Sequence, residues 1–496
     1  MSGKLQEKRP FQILLWIFPV LFLTDNILGF NGYQFTIAGK SIRIILFCIS
    51  AAVLCGYSLF VMIQDKIAFY SKDEEQITLF KMFNPLDYLV MFFLFGNAIW
   101  ATVVPLLVRG EMNFSLKDFS TLLVLVLYFP IAFLVRTGRL NFKLLEKMIY
   151  VLTILLALWH SVMYIGEVIH TGFYESYYDF IDFISFGTAV RTEVVYGFGI
   201  IRVIQTTSLF LLIGVFMSVR YIVKGNWWHI IALALFTFAI CVTYTKSIWF
   251  GYFAGLLIYL VPSIIIKKEI RKNSAIALSV AICLIVTLNY TVFDNSIFSR
   301  VFNSVRTGES IGQMQSMLQQ MQSKPTESSK PGDSSNPLES SKPQSSTPSY
   351  SEKDKNKLEN EIKDALGTQQ ANALREQQKS ALIKKWKQNK LVGIGYGGYT
   401  QECIRNQQFP YMYESTLPAL LMKLGLFGCL IWAIFIGGTT IFTVGSLWKE
   451  NLDKIFYWLA IALSYAMAVQ TNPFLFTFAG FSVLLYLLIS VQKKII

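Results

Sequence analysis

Charge is scarce in this chain. Only 15% of its 496 residues are Asp, Glu, Lys or Arg, against roughly a quarter in soluble proteins, and 54% are hydrophobic. With a mean hydropathy of +0.47, that balance excludes an ordinary soluble protein of this length and indicates a polytopic membrane protein. Histidine is nearly absent: His160, His170 and His229 are scattered, and no Cys/His/Asp/Glu group has metal-ligand spacing, so no metal is expected. Of six cysteines, Cys48, Cys55, Cys241, Cys283 and Cys429 lie in apolar segments, leaving Cys403 without an external partner, which excludes a disulfide framework. No P-loop occurs, and "GIGYGG" (Gly393 to Gly398) has neither the G-x-G-x-x-G spacing nor a βαβ setting, so no nucleotide or other cofactor is expected. Those glycines instead suit a tight fold of a loop end back over the membrane. The net charge of +13 does not imply nucleic acid, because the basic residues sit in short loops beside apolar runs.

What the chain has in abundance is apolar windows of about 20 residues, the length that crosses roughly 30 Å of hydrocarbon. Twelve can be laid out: 11–30, 41–63, 87–108, 119–136, 148–168, 198–219, 229–244, 247–266, 274–293, 425–446, 455–471 and 474–491. The first lacks the small-residue cleavage site of a signal peptide and reads as a retained span. Basic residues fill alternate loops, from Lys4, Lys8 and Arg9 to Lys493 and Lys494, which makes the protein multi-pass with both termini cytoplasmic. The expected fold is all-α, with transmembrane helices one to nine in residues 1–293, one large extracytoplasmic loop over 294–424, and helices ten to twelve in 425–496. Within the loop, "ESSKPGDSSNPL" from Glu327 and "ESSKPQSSTPSY" from Glu339 form an imperfect repeat. Its composition cannot bury enough apolar surface to order itself, so about 323–351 is expected to be a disordered tether. The helix formers from Lys355 to Asn389 predict one or two surface helices.

Ionisable residues near the outer face are the functional candidates. Arg202 is expected about one turn inside the sixth span, Lys246 at a tight outer turn between the seventh and eighth, and Arg191 in the preceding outer loop. Two readings stand for these cations: snorkelling anchors, or ligands for a phosphate-bearing lipid head group. In "FYESYYDFIDF" (Phe173 to Phe183), Tyr177, Tyr178 and Asp179 suit either sugar stacking or an interfacial aromatic belt. Glu414 precedes a helix start that Ser415 or Thr416 can cap and whose first turn tolerates Pro418, so its carboxylate suits the positive helix end even without a chemical role.

Three stretches carry a resemblance to a known family. "VTYTKSIW" (Val242 to Trp249) resembles a Thr-x-Ser-Arg-x-x-Trp run, with Thr243, Thr245, Lys246 and Trp249 in register and lysine in place of arginine. "IRVIQTTSLFLLI" resembles an arginine-led span start. "WKQNKLVGIGYGGY" and "YESTLPALLMKLGLFG" resemble a Gly-x-Gly run and a His-Asn run ending in Leu-Gly-Leu-Leu-Gly, with Glu414 and Ser415 where many members have histidine and asparagine. Together they resemble the O-antigen ligase and Wzy-type polysaccharide polymerase superfamily of integral membrane glycosyltransferases. The resemblance covers about Arg191 to Gly428; the first five spans match only in hydropathy.

That resemblance implies a polymerase in a bacterial cytoplasmic membrane, joining undecaprenyl-diphosphate-linked oligosaccharide repeats, as donor and acceptor, into a capsule, exopolysaccharide or O-antigen. It implies diphosphate binding by Arg202, Lys246 and Arg191, proton abstraction by Glu414, and glycan contacts at Tyr177, Tyr178, Asp179, Tyr396 and Tyr413. It also implies partners among polysaccharide-assembly proteins, such as a flippase and a chain-length regulator. A ligase acting on another acceptor, and a transporter or flippase, are the alternative functions.

Overall fold

In hydrocarbon, backbone polar groups find no water, so so apolar a chain must satisfy them within helices. The computed structural model describes residues 9–28, 33–37, 40–65, 67, 79–184, 189–191, 201–266, 270–293, 298, 372–404, 407, 409–448, 452–470 and 473–492. Helices α1 (Arg9–Leu28), α2 (Ile42–Gln64) and the short α3 (Leu79–Met82) lead to α4 (Pro85–Arg109). One further crossing is built from α5 (Ser115–Ser120), a 3-10 stretch (Thr121–Leu127) and α6 (Tyr128–Arg136). Then come α7 (Phe142–Ile169), α8 (Phe173–Ile184), α9 (Leu209–Val223), α10 (His229–Val242), α11 (Lys246–Ile266) and α12 (Arg271–Thr291). A helix at 372–388, α13, precedes α14 (Thr416–Trp448), α15 (Leu452–Gln470) and α16 (Phe478–Ile489). The exception to the all-α expectation is a small antiparallel sheet in the order β2-β1-β3, formed by β1 (Tyr33–Ile37), β2 (Lys40–Ser41) and β3 (Ala189–Arg191), with Tyr33 opposite Arg191.

Nine helices among the described residues are long and apolar enough to cross a membrane by length and composition. Three shorter apolar helices accompany them: Pro19–Leu28, His229–Val242 and Phe478–Ile489. The twelve expected windows fall on these nine and three, so nine of the twelve meet the crossing length. Large apolar side chains turn outward, Phe95 being 71%, Ile441 75% and Leu107 79% exposed, which is the surface a lipid bilayer covers. The expected insert at about 323–351 lies outside the described residues.

Two compact units are present, residues 1–288 with 375–496, and residues 289–374. In the second, Phe298 N donates to Asn289 Oδ1 at 3.1 Å. In the first, small residues allow close helix packing. Gly251 and Gly255 of α11 lie against Ser464 of α15, whose hydroxyl donates to Gly251 O at 2.5 Å. At one end of this bundle Arg136 makes two 2.7 Å bonds to Asp87, while Tyr128 and Gln492 complete the buried network. Asn84 and Asp87 also form the capping box of α4.

Two expected span boundaries move. The sixth span begins at Thr206 rather than 198, residues 201–205 being non-helical. The tenth begins at Thr416 rather than 425 because α14 continues through a break at Gly425, whose φ of 61° is left-handed. A broken helix must find other partners for its backbone groups, and the glycine-rich loop supplies them. Ile394 N and Gly395 N donate to Met422 O (2.9 Å) and Lys423 O (2.8 Å), while Leu426 N and Phe427 N donate to Lys390 O and Leu391 O, both at 2.9 Å. Gly393, at φ 68°, lies so close that an added Cβ would stand 2.5 Å from Lys423 O and 2.6 Å from Gly425 N. Gly393→Ala is therefore expected to destabilise the protein by more than the roughly 1–2 kcal/mol of a left-handed non-glycine residue, read as a lower thermal unfolding midpoint in detergent.

Candidate functional site

The "VTYTKSIW" stretch folds as a sharp turn between α10 and α11. Tyr244 takes φ 46°, and Ile248 N and Trp249 N both donate to Thr245 O at 3.1 Å, so Thr245 opens α11 and Lys246 is its first residue. Trp249 Nε1 closes the turn on Ile240 O at 3.0 Å. A lysine in the first turn of a helix stands at the positive end of its dipole, which disfavours a cation by roughly 0.3–1 kcal/mol. An anion bound beside it would reverse that penalty.

Arg202 joins this turn from the non-helical segment before α9, not from inside a helix as its sequence position suggests. Its Nε donates to Thr243 O at 2.9 Å and its Nη2 to Thr245 Oγ1 at 3.1 Å, while Val203 N donates to Val242 O at 3.2 Å. Arg202 and the residue before Lys246 are thus in direct contact. The backbone of Arg191 is in β3; its side chain lies outside the described residues.

Glu414 sits at the mouth of α14. Its Oε2 accepts from Arg375 Nε at 2.8 Å, and the Glu414 and Ser415 amides both donate to Gln378 Oε1, at 3.1 and 3.3 Å. The Glu414 carboxylate is 25% exposed, so solvent reaches it. Arg375 and Gln378, one turn apart on α13, therefore fix the residue from above.

The two groups meet through α15. The last four carbonyls of a helix lack intrahelical donors, and in α15 two consecutive ones are taken by neighbouring helix starts. Ser247 Oγ, at the start of α11, donates to Ala468 O at 3.2 Å, and Thr416 Oγ1, at the start of α14, donates to Val469 O at 2.5 Å. The joint brings the Arg202–Lys246 turn and the Glu414 loop to one end of the bundle. From there a cavity of about 530 Å³ follows α14, with Lys379, Ser415 and Thr416 at its polar end and Trp432, Phe435, Ile436 and Trp458 among its walls.

The tyrosines divide differently. Tyr396 is 1% exposed and donates to Asn97 Oδ1 at 2.6 Å; Tyr413 is 2% exposed, and its hydroxyl accepts from Thr400 N at 2.9 Å. Both are core residues holding the loop, which removes them as surface contacts for a glycan. Burial pushes their phenols up, as it does that of Tyr411, so none serves as a base near neutral pH. On α8, Tyr178 is buried against Tyr174, Tyr177 is half-buried and Asp179 is exposed.

Beneath the loop lies a charged pair that the sequence reading passed over. Lys423 Nζ stands 2.6 Å from Asp118 Oδ2, with side-chain exposures of 1% and 0%, and 4.4 Å above the Phe476 ring. Asp118 Oδ2 also accepts from Gly397 N at 2.8 Å, and Arg109 Nη2 donates to Ser115 Oγ and Tyr396 O. The available signal was Lys423 within an apolar run; a span drawn from 425 placed it outside the membrane segment. Among the described residues no group of His, Cys, Asp and Glu is arranged to hold a metal. Compared with protein-family models and with curated proteins, the chain matches none.

Proposed function

We propose that this protein is a membrane glycosyltransferase that polymerises polyprenyl-diphosphate-linked oligosaccharide repeats at the outer face of a bacterial cytoplasmic membrane. In this reading there are twelve crossings, both termini are cytoplasmic, and the end of the bundle carrying Lys246 and Glu414 faces out, as the positive-inside pattern requires. The observation that supports the reading is the joint at Ala468 and Val469, which ties the residue after Lys246 and the start of α14, two residues after Glu414, to one helix end, beside an apolar slot lined by Ser415, Thr416 and Gln470. The slot suits a polyprenyl chain, and Arg202 with Lys246 suits its diphosphate.

Chemistry follows from those positions. Glu414 takes the proton of the acceptor hydroxyl as its oxygen bonds to the anomeric carbon of the donor sugar. The anomeric C–O bond to phosphate breaks, and the carrier diphosphate departs with the electron pair, its charge met by Arg202 and Lys246. No nucleotide is consumed, because the diphosphate linkage is already activated.

Purified protein given diphosphate-lipid-linked repeats, with the products sized, tests the reading. A ladder of products is expected. A single addition to a foreign acceptor indicates a ligase, and no bond formation by competent protein indicates transport. Glu414→Gln preserves shape but accepts no proton at neutral pH, and is expected to lower turnover about a hundredfold or more while leaving carrier-lipid binding intact. Glu414→His is expected to recover part of the rate, with a pH profile moved toward histidine titration near about 6.5. Near-normal turnover of the glutamine variant would assign Glu414 to opening α14 alone.

A further inference from the structure

Beside the Glu414 loop is a second cavity, of about 540 Å³, with a lining of a different character. It lies between the end of α4, one face of α13 and the 399–402 strap. Glu111, Gln388, Asn389, Tyr399, Gln401 and Glu402 contribute to its wall. Amides both donate and accept, and carboxylates accept, so this wall matches a ligand dense in hydroxyls; Tyr399, half-buried against Phe114, adds an aromatic ring. Two of the three cations in the lining, Arg109, Lys384 and Lys385, make side-chain bonds to protein groups. Lys384 Nζ pairs with Glu402 Oε1 at 3.1 Å, and Arg109 Nη2 is held by Ser115 and Tyr396. Lys385 is the third cation, but Glu111 and Glu402 interleave with these groups, so the wall carries both signs among amides, which favours a polyhydroxylated ligand over a phosphate.

Its placement ties it to the proposed chemistry. The helix that holds Glu414 through Arg375 and Gln378 also presents Gln388 to the cleft, about 15 Å further along at 1.5 Å per residue. On the other wall, Thr400 N is bonded to the hydroxyl of Tyr413, the residue before Glu414. The cleft and the carboxylate are therefore mounted on the same two supports.

We infer that this cleft seats the acceptor glycan, holding sugars already joined behind the one whose hydroxyl meets Glu414. The inference rests on the polymerase reading, but its test is a binding measurement that needs no turnover. Oligosaccharides of increasing repeat number are cut from the surface polysaccharide of cells carrying this protein. Their binding to the full-length protein in nanodiscs is followed by saturation-transfer NMR. Affinity is expected to rise with repeat number in the parent. In Glu111→Ala/Gln388→Ala, two exposed positions, and in Tyr399→Ala, that gain is expected to fall at least tenfold. Tyr399→Phe, which keeps the ring, is expected to retain it.

Unchanged length dependence in both the double variant and Tyr399→Ala overturns the cleft, even if the same preparations polymerise. A parent that binds none of these oligosaccharides overturns it as well. Binding that depends on the cleft in a protein that joins no repeats upholds the cleft as a glycan site and removes the polymerase reading instead.

Discussion

Replacing Lys246 by glutamine is expected to slow polymerisation by two to three orders of magnitude without lowering the unfolding midpoint. Removing one preorganised donor from a developing anion costs about 3–4 kcal/mol, and Lys246 stands where the start of α11 already directs backbone N–H groups outward. Arg202→Gln is expected to slow the reaction as much, but through two effects. Its guanidinium holds the Thr243–Thr245 turn as well as facing the proposed diphosphate, so this variant is also expected to lose some thermal stability. Lys246→Arg, which keeps the charge, is expected to retain appreciable turnover. Initial rates with diphosphate-linked repeats, beside melting curves for each variant, separate the effects. Normal rates in both glutamine variants would reduce these cations to interfacial anchors.

The second large effect falls on stability. Asp118→Asn or Lys423→Met alone is expected to cost about 3–5 kcal/mol, because each leaves an uncompensated buried charge. Asp118 carries the heavier load, since Gly397 N depends on the same oxygen that faces Lys423. The double replacement Asp118→Asn with Lys423→Met is expected to recover a large part of the loss. Thermal unfolding of the two single variants and the double in one detergent closes the cycle; additive losses in the double would show that the pair is not coupled.

How far the sequence was readable depends on what each signal measures. Apolar length gave the crossing segments, since burial in hydrocarbon depends on little else. It missed Thr416 as the start of α14, because Lys423 interrupts the run and nothing local announces that Asp118 neutralises it. Arg202 reads as helical from sequence because its apolar neighbours match the span it precedes; the tertiary bond to Thr243 O ties its non-helical segment to the next turn instead. The glycines were read as a tight fold, and the structure gives the partner they fold against, the break at Gly425. Tyr396 and Tyr413 resembled surface contacts because aromatic residues in a loop look alike from sequence whether they face solvent or pack beneath it. Glu414 was chosen by position relative to Gly425, but its fixing by Arg375 and Gln378 comes from a helix that sequence reading placed only as a surface element.

The pairing of Asp118 with Lys423 also sets a timetable for assembly. The aspartate leaves the ribosome with the early spans, whereas its lysine is translated only after residues 294–415. Until α14 is threaded through the translocon, the carboxylate waits at the membrane without its counter-charge, and Gly397, its other partner, has not yet been made either. Chains that stop before Thr416 therefore carry an orphan acid among apolar helices. Completion of α14 is thus the step at which the Asp118 end of the early helices gains its counter-charge.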